Sequence, residues 1–193
     1  PEEVEAFFQA VAKLQNETAQ HYFLMLLATG QRRTAVAGMR WEELDIARRE
    51  WTIPVERSKR KKPVTAPLSD FAIAILDARQ RTRGNSPCVF PGGGKDGYYS
   101  APKAALRRIR EWSGVSDVTI HDLRRTVGSW ASPGGLSLRS VQLILAHSNP
   151  QTTAKHYSVH EGDQVRTDLN TTVERILQQA GESRPVLKIA DAG

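Results

Sequence analysis

The sequence lacks several features that define whole classes of protein. Its single cysteine, Cys88, excludes a disulfide bond within the chain and is typical of a reducing cytoplasm. The longest apolar run, residues 22–28, is too short to span a membrane, and no signal-peptide pattern opens the chain. The absence of internal repeats, heptads and low-complexity segments excludes solenoids and coiled coils. We therefore expect a globular protein in the cytoplasm.

The chain carries an excess of positive charge. Lysine and arginine number 27 against 21 aspartates and glutamates, which gives a formal net charge of +6. This balance permits a polyanionic partner such as nucleic acid, and an ordinary soluble surface explains it equally well. With 193 residues, 39% of them hydrophobic, the chain is long enough for one domain with a substantial core.

Apolar periodicity predicts a mainly α-helical domain with a small antiparallel β-sheet, an α+β fold. Gly30 is predicted to end the second helix, and Ser69 is predicted to cap a later one. Two strands flanking a basic tip predict a hairpin, and Val89-Phe90 are predicted to form a short buried strand. The predicted helices cover residues 1–14, 17–29, 69–81, 101–112, 121–130, a segment from 138, and 164–179, and the hairpin strands cover 51–55 and 64–68.

The predicted elements define the domain boundaries. We expect one domain over residues 1–180, including the C-terminal helix at about 164–179, and a flexible tail over 181–193. The helical spacing of apolar residues is already present in the first residues of the chain, 1–8. We therefore expect that a longer protein carries an N-terminal partner domain.

The stretch from residue 121 to 157 brings histidine, arginine and tyrosine together. Arg124 follows His121 by one helical turn, so both side chains share a face of the predicted helix. Arginine binds planar oxyanions through paired N–H groups and keeps its proton, while histidine holds or moves a proton near neutral pH. Tyrosine is an oxygen nucleophile once its neighbours activate it. These residue types suggest a phosphate substrate attacked by Tyr157.

Basic residues also cluster outside this stretch. Arg32 and Arg33 follow the second predicted helix, where they could reach a ligand or simply complement the helix dipole. A later predicted helix carries three basic residues on one face, Lys103, Arg107 and Arg110. That face suits a phosphate backbone, and it equally suits an ordinary solvated helix.

Several of these features belong to six segments that occur together and in order. In these segments, and over essentially its whole length, the chain resembles the catalytic domain of tyrosine recombinases, the phage-integrase family. The resemblance is strongest to integrases of bacterial prophages and genomic islands. The segments are TGQRR (29–33), SKRKKPVTAPLS (58–69), VFPG (89–92), HDLRRT (121–126), LAHS (145–148) and TTAKHY (152–157).

The resemblance implies a role for each matching residue. Two arginines clamp the phosphate, Tyr157 attacks phosphorus, and Lys59 protonates the leaving 5′-hydroxyl. His121 assists proton transfer from the tyrosine, and His147 donates a hydrogen bond to the phosphate. The implied catalytic residues are Arg32, Lys59, His121, Arg124, His147 and Tyr157. The residues expected to contact DNA are Arg33, Arg60, Lys61, Lys103, Arg107, Arg110 and Arg125. No metal or cofactor is implied, because the HxxR partner is an arginine and the cysteine is isolated.

The chain departs from the family pattern at two positions. Ala35 stands where the family usually has an acidic residue, which is expected to buttress the site. Val64 stands where a histidine is often found in the second hairpin strand. The presence of Ala35 therefore leaves open whether the chain is fully active. The assignment of the general acid to Lys59 also stays open, because Lys61 and Lys62 lie close by in the same hairpin tip.

The resemblance implies integration or excision of a mobile element through a 3′-phosphotyrosyl link to DNA. A degenerate integrase that holds DNA without cutting it is one alternative. Another is a type IB topoisomerase-like or dimer-resolving activity, which shares the chemistry.

The implied partners are double-stranded DNA at attachment sites, other protomers in a DNA-bound homotetramer formed from monomers, and a DNA-bending accessory protein. A nucleoid-associated bacterial protein with an N-terminal DNA-binding domain is expected, whose C-terminal helix packs on its own core or docks on a neighbour.

Overall fold

The helices and strands lie close to the predicted positions. The computed structural model describes residues 2–58, 62–100, 102–131, 138–145, 159–183 and 185. Within these ranges the helices are α1 (Glu2–Ala12), α2 (Glu17–Thr29), α3 (Arg33–Ala37), α4 (Asp70–Arg81), α5 (Pro102–Ser113), α6 (Ile120–Ala131), α7 (Leu138–Ile144) and α8 (Val159–Gln178). The strands are β1 (Leu44–Asp45), β2 (Glu50–Ile53) and β3 (Val64–Pro67). The predicted fold class, mainly α-helical with a small antiparallel sheet, is confirmed.

Helix α2 lies at the centre of the core because it is apolar on nearly every face. All of its residues from Tyr22 to Ala28 are buried, and α1, α3, α4, α6 and α8 pack around it. The helix begins where the Asn16 side chain accepts a hydrogen bond from Ala19 N at 3.0 Å. It ends at Gly30, whose φ of 61° is the left-handed conformation predicted for this C-cap.

The sheet is antiparallel with the strand order β1-β2-β3. Trp51 in β2 pairs with Ala66 in β3, and both residues are fully buried. The predicted hairpin is therefore confirmed. Strand β1 was not predicted, because two residues carry no measurable periodicity.

The strand predicted at Val89-Phe90 is wrong. These two residues are described and buried, but they form no strand. Val89 N donates to the Met39 carbonyl oxygen at 2.9 Å, and Phe90 accepts from Tyr99 N at 2.8 Å. Each residue thus pairs with a different segment, so no continuous ladder forms, and burial alone produced the apolar signal.

Helix α8 packs on the core of its own chain. It begins at Val159, earlier than the predicted start near 164. It lies against α4, α6, α7 and β3, and Asn170 Oδ1 accepts a hydrogen bond from Asp70 N at 2.8 Å. A 3₁₀ turn at Gly181–Ser183 follows and contacts α1. The buried face of α8 consists of Val165, Leu169, Val173, Ile176 and Leu177.

Among the described helices, none is both long and apolar enough to cross a membrane.

Candidate active site

The start of α6 is fixed by a capping box. Thr119 Oγ1 accepts a hydrogen bond from Asp122 N at 3.2 Å, and Asp122 Oδ2 accepts from Thr119 N at 3.0 Å. Hydrogen bonding, above all from the Thr119 hydroxyl at 2.5 Å, holds the pKa of Asp122 below its ordinary value. Because the box sets the first turn, His121 lies exposed at the N-terminal start of α6 and Arg124 lies one turn further in.

Arg124 is buried, with a relative exposure of 6%. Its Nη1 donates to the Gly30 carbonyl oxygen at 2.7 Å, and its Nη2 donates to the Leu145 carbonyl oxygen. Burial, and then the nearby charge of Arg32, lower the pKa of Arg124 to about 10, which leaves it protonated at neutral pH. A guanidinium carries five N–H donors, so these two carbonyls do not exhaust it. Arg124 is therefore a fixed cation that can still bind an oxyanion.

Gln31 completes the same cluster and was not predicted. Its side chain is buried and donates from Nε2 to the Ile144 carbonyl oxygen at 2.6 Å. Its backbone N donates to Thr29 Oγ1 at 3.3 Å. A glutamine between a glycine and an arginine is typical of an exposed loop, so the local sequence carries no signal for this contact. The end of α7 is thus held by Gln31 as well as by Arg124.

Gly30 allows the three helices of this cluster to approach one another. A Cβ atom at this position would lie 3.0 Å from Leu145 Cδ2 and 3.2 Å from Val127 Cγ1. The residue therefore has two reasons to be glycine, its positive φ and the close contact. It joins the end of α2 to α6 and to the residues after α7. The carbonyl that Arg124 binds lies at this junction.

The TGQRR segment places its two arginines differently. Arg32 is the N-cap residue of α3 and is half-buried, and its charge is close enough to Arg124 to affect the pKa of that residue. Arg33 is exposed, and its carbonyl oxygen accepts a hydrogen bond from the Tyr22 hydroxyl at 3.2 Å. The predicted break between helices is confirmed, since α2 ends at Thr29 and α3 begins at Arg33. Ala35 is buried within α3.

The first arm of the hairpin is fastened to α3 by Arg57. Its Nη2 forms an ion pair with Glu43 Oε1, and its Nη1 donates to the Gly38 carbonyl oxygen. The same Nη1 lies 3.4 Å from the Ala35 carbonyl oxygen. Burial, followed by the charge of Arg40, lowers the pKa of Arg57. This contact was not predicted, because its partners lie 14 to 22 positions away and no local pattern marks them.

The predicted DNA-contacting residues that are described lie on α3, α5 and α6. Lys103 and Arg107 are exposed on α5. Arg110 is half-buried and donates from Nε to the Val118 carbonyl oxygen at 2.8 Å, so it also fixes the segment before α6. Arg125 is exposed and lies 3.5 Å from Asp122.

Five predicted site residues lie outside the described ranges. Of the implied catalytic residues, the structure brings Arg32 and Arg124 together and puts His121 on the helix that carries Arg124. Arg57 and Leu145 are each two positions from an implied catalytic residue. The five residues outside the described ranges are Lys59, Arg60, Lys61, His147 and Tyr157.

The chain belongs to the phage integrase family, whose model matches residues 1–164. The resemblance predicted from the six segments is thereby confirmed. The chain is 26% identical to the prophage integrase IntF of Escherichia coli (strain K12), over 93% of this chain and 39% of that protein. It is 30% identical to the prophage integrase IntA of the same strain, over 70% of this chain and 33% of that protein. The matched region therefore spans about two fifths or less of these relatives.

Solved structures of tyrosine recombinases share the fold. XerA recombinase matches with a TM-score of 0.60 and 18% identity, over 95% of this chain and 64% of that one. The integrase from mycobacterium phage Brujita matches with a TM-score of 0.58 and 19% identity, over 97% and 59%. XerH site-specific recombinase bound to its difH substrate matches with a TM-score of 0.62 and 15% identity, over 86% and 48%. The fold is that of tyrosine recombinase catalytic domains.

Proposed function

We propose that the chain is the catalytic domain of a site-specific DNA recombinase that integrates or excises a mobile element. One observation carries the proposal. Arg124 of the HDLRRT segment binds the carbonyl oxygens of Gly30 in TGQRR and Leu145 in LAHS. Three segments that are far apart in the chain thus meet at one buried cation, and family membership supports the same assignment.

The chemistry requires fixed positive charge. Attack on a phosphodiester builds negative charge on the non-bridging oxygens, and preorganised cations stabilise it without reorganising during the reaction. Arg124 is held rigidly by its carbonyl contacts, and Arg32 adds a second guanidinium nearby. Bidentate pairing suits arginine to this role. The two arginines would form the clamp for the scissile phosphate.

The remaining catalytic residues would move protons and form the covalent link. The phenolic oxygen of Tyr157 bonds to phosphorus as the bond from phosphorus to the 5′-oxygen breaks. His121 helps to remove the phenolic proton, Lys59 protonates the departing 5′-oxygen, and His147 donates a hydrogen bond to the phosphate. The phosphotyrosyl link conserves the energy of the broken bond. Rejoining by the reverse reaction therefore needs no ATP.

Duplex DNA is the partner that this chemistry requires. The net charge of +6 and the exposed Arg33, Lys103, Arg107 and Arg125 support phosphate contacts. Arg60 and Lys61 of the hairpin tip would add to them, while Arg110 would contribute only in part because Val118 engages its Nε. The XerH site-specific recombinase structure contains its difH substrate, which supports this assignment by analogy. We propose that monomers assemble as a homotetramer on the attachment sites, with a DNA-bending protein as an accessory.

A covalent adduct tests the reaction class. The substrate is a nicked duplex that carries the junction sequence of the mobile element, so that the cleaved strand diffuses away and the intermediate accumulates. The expected result is a protein–DNA adduct that survives a denaturing gel and is absent with Tyr157→Phe. DNA binding without an adduct would overturn the cleavage assignment.

Ala35 favours a second candidate, an integrase-like module that binds DNA without cutting it. The position is buried in α3, and no carboxylate can act there. The variant Ala35→Glu distinguishes the two candidates. An adduct only in the variant would assign the natural chain to the binding module, whereas an adduct in both would assign it to the enzyme. Relaxation of supercoiled plasmid without a specific site would instead indicate a topoisomerase-like activity.

A further inference from the structure

Arg57 and Glu43 form an ion pair that is shielded from water. The Arg57 side chain is 18% exposed and that of Glu43 is 10% exposed. Glu43 Oε2 also accepts hydrogen bonds from Trp51 Nε1 and from Arg40 N, both at 3.1 Å. Surface ion pairs are mobile and weak, whereas a desolvated pair with further hydrogen bonds has one defined geometry. This pair therefore behaves as a rigid connection.

The connection joins two parts of the candidate site. On one side, Arg57 Nη1 contacts the carbonyl oxygens of Gly38 and Ala35, at the C-terminal end of the helix whose N-cap is Arg32. On the other side, Arg57 ends the 3₁₀ turn Val55–Arg57, after which the chain continues into the hairpin tip. The approach is close, since a Cβ atom at Gly38 would lie 2.9 Å from Arg57 Cδ. The first hairpin arm and the Arg32 helix are thus held as one unit.

The distance along the chain decides what this unit can control. Two residues span at most about 7 Å, so an anchor at Arg57 limits where Lys59 can lie. A lysine that protonates a leaving oxygen must come within hydrogen-bonding distance of it, and long flexible side chains reach such a position reliably only from a fixed backbone.

We propose that Arg57 is a positioning residue, which with Glu43 fixes the hairpin arm against α3 and so sets the proton donor of the hairpin relative to Arg32. The proposal rests on the proposed cleavage reaction. It predicts a specific defect. Loss of the Arg57–Glu43 ion pair should slow protonation of the 5′-oxygen. It should leave the phosphate-binding arginines and the nucleophile in place.

A change of leaving group isolates that step. In a DNA strand with a 5′-bridging sulfur at the scissile phosphate, the bond from phosphorus to sulfur breaks and a thiolate departs. A thiol has a pKa of about 8.5, far below that of an alcohol hydroxyl, so the thiolate needs no proton from the enzyme. A variant that lacks only the proton donor should therefore cleave the sulfur substrate at the parental rate.

The experiment measures single-turnover adduct formation on the oxygen and sulfur substrates, with DNA affinity and circular dichroism recorded for each variant. Arg57→Met is expected to cleave the oxygen substrate about 10²-fold more slowly and the sulfur substrate at the parental rate, as for loss of a general acid. Lys59→Ala serves as the reference for that pattern. Arg57→Lys keeps the positive charge but loses the paired N–H donors of the guanidinium. Its cleavage rate on the oxygen substrate is expected to lie between those of the parent and Arg57→Met. The matched control is Arg48→Met, because the Arg48 side chain is 77% exposed.

Each outcome decides between defined alternatives. Equal losses on both substrates, or a parental rate of Arg57→Met on the oxygen substrate, would overturn the proposal. The proposal would also be overturned if the parent cleaved only the sulfur substrate, since the hairpin would then supply no proton for Arg57 to position. If Arg57→Met does not fold, Glu43→Gln replaces it and is expected to show the same selective defect. A parent that forms no adduct with either substrate would instead overturn the cleavage reaction itself.

Discussion

Gln31 and Ile144 lie 113 positions apart in the chain, and the Gln31 side chain donates from Nε2 to the Ile144 carbonyl oxygen at 2.6 Å. The carbonyl of the next residue, Leu145, accepts from Arg124. Carbonyls at the end of a helix have no partner within it, so side chains from elsewhere can bind them. Two segments of the candidate site thus fix the backbone from which the chain continues to His147.

The Gln31 contact should contribute measurably to stability. We expect Gln31→Leu to lower the free energy of unfolding by about 1–3 kcal/mol, because it leaves a buried carbonyl without its donor. Urea denaturation with an unchanged m-value measures this difference. Gln9→Leu is the matched control: Gln9 is exposed, and within the described part of the chain its side chain makes only a 3.4 Å contact with Glu5, so its cost should stay within about 0.5 kcal/mol. Equal costs for the two variants would contradict the role of Gln31.

Arg124 should be irreplaceable by lysine. A lysine ammonium is a single point of charge and cannot bind the Gly30 and Leu145 carbonyls and an oxyanion at once. We expect Arg124→Lys to slow adduct formation by about 10²–10³-fold, as for loss of a transition-state donor, with DNA affinity little changed. Arg48→Lys makes the same change at a side chain that is 77% exposed and lies outside the proposed site, and it should cleave at the parental rate. Similar rates for the two variants would argue against the clamp.

Much of the fold could be predicted because its signals are local. The N-cap at Ser69, the left-handed Gly30 and the apolar run of α2 each depend on neighbouring residues. Helix boundaries were less accurate where tertiary contacts decide them, as for α8, which begins earlier than its apolar pattern indicated. The strand predicted at 89–90 shows the converse error, since buried apolar residues need not form a ladder.

The candidate site could be predicted only as a set of segments. Motif order indicated Arg32, His121 and Arg124, but the supporting residues Gln31 and Arg57 carry no local pattern. The partners that tie them to distant parts of the chain lie 14 to 113 positions away and are mostly backbone carbonyls, which leave no trace in residue identity. The residues that react are therefore easier to identify from sequence than the residues that hold them in position.

Gly30 should tolerate no side chain, for two separable reasons. Alanine at a left-handed position costs about 1–2 kcal/mol for the backbone alone. Gly84 has a similar φ of 55°, and no atom of the described residues lies within 4 Å of a Cβ there, so Gly84→Ala measures that cost. Gly30→Ala adds the contacts with Leu145 and Val127, and overpacking adds about 1–3 kcal/mol. Thermal or urea unfolding of both variants tests this, and equal losses would mean that the helices can separate without cost.

His21 should make the fold less stable in mild acid. It is 5% exposed and its Nδ1 has no hydrogen-bond partner in the described part of the chain. Burial lowers its pKa below 6.5, Arg79 adds to that effect, and Glu17 opposes it.

The sign follows from proton binding. The folded state binds this proton less readily than the unfolded state, so unfolding is favoured as the pH falls through about 6.5 towards the folded-state pKa. Above that range His21 is neutral in both states and contributes no pH dependence. We expect His21→Leu to remove this dependence, so that its stability relative to the parent rises between about pH 7.5 and pH 5.5. Urea unfolding at several pH values measures the difference, and parallel curves for parent and variant would show that His21 is protonated equally in both states.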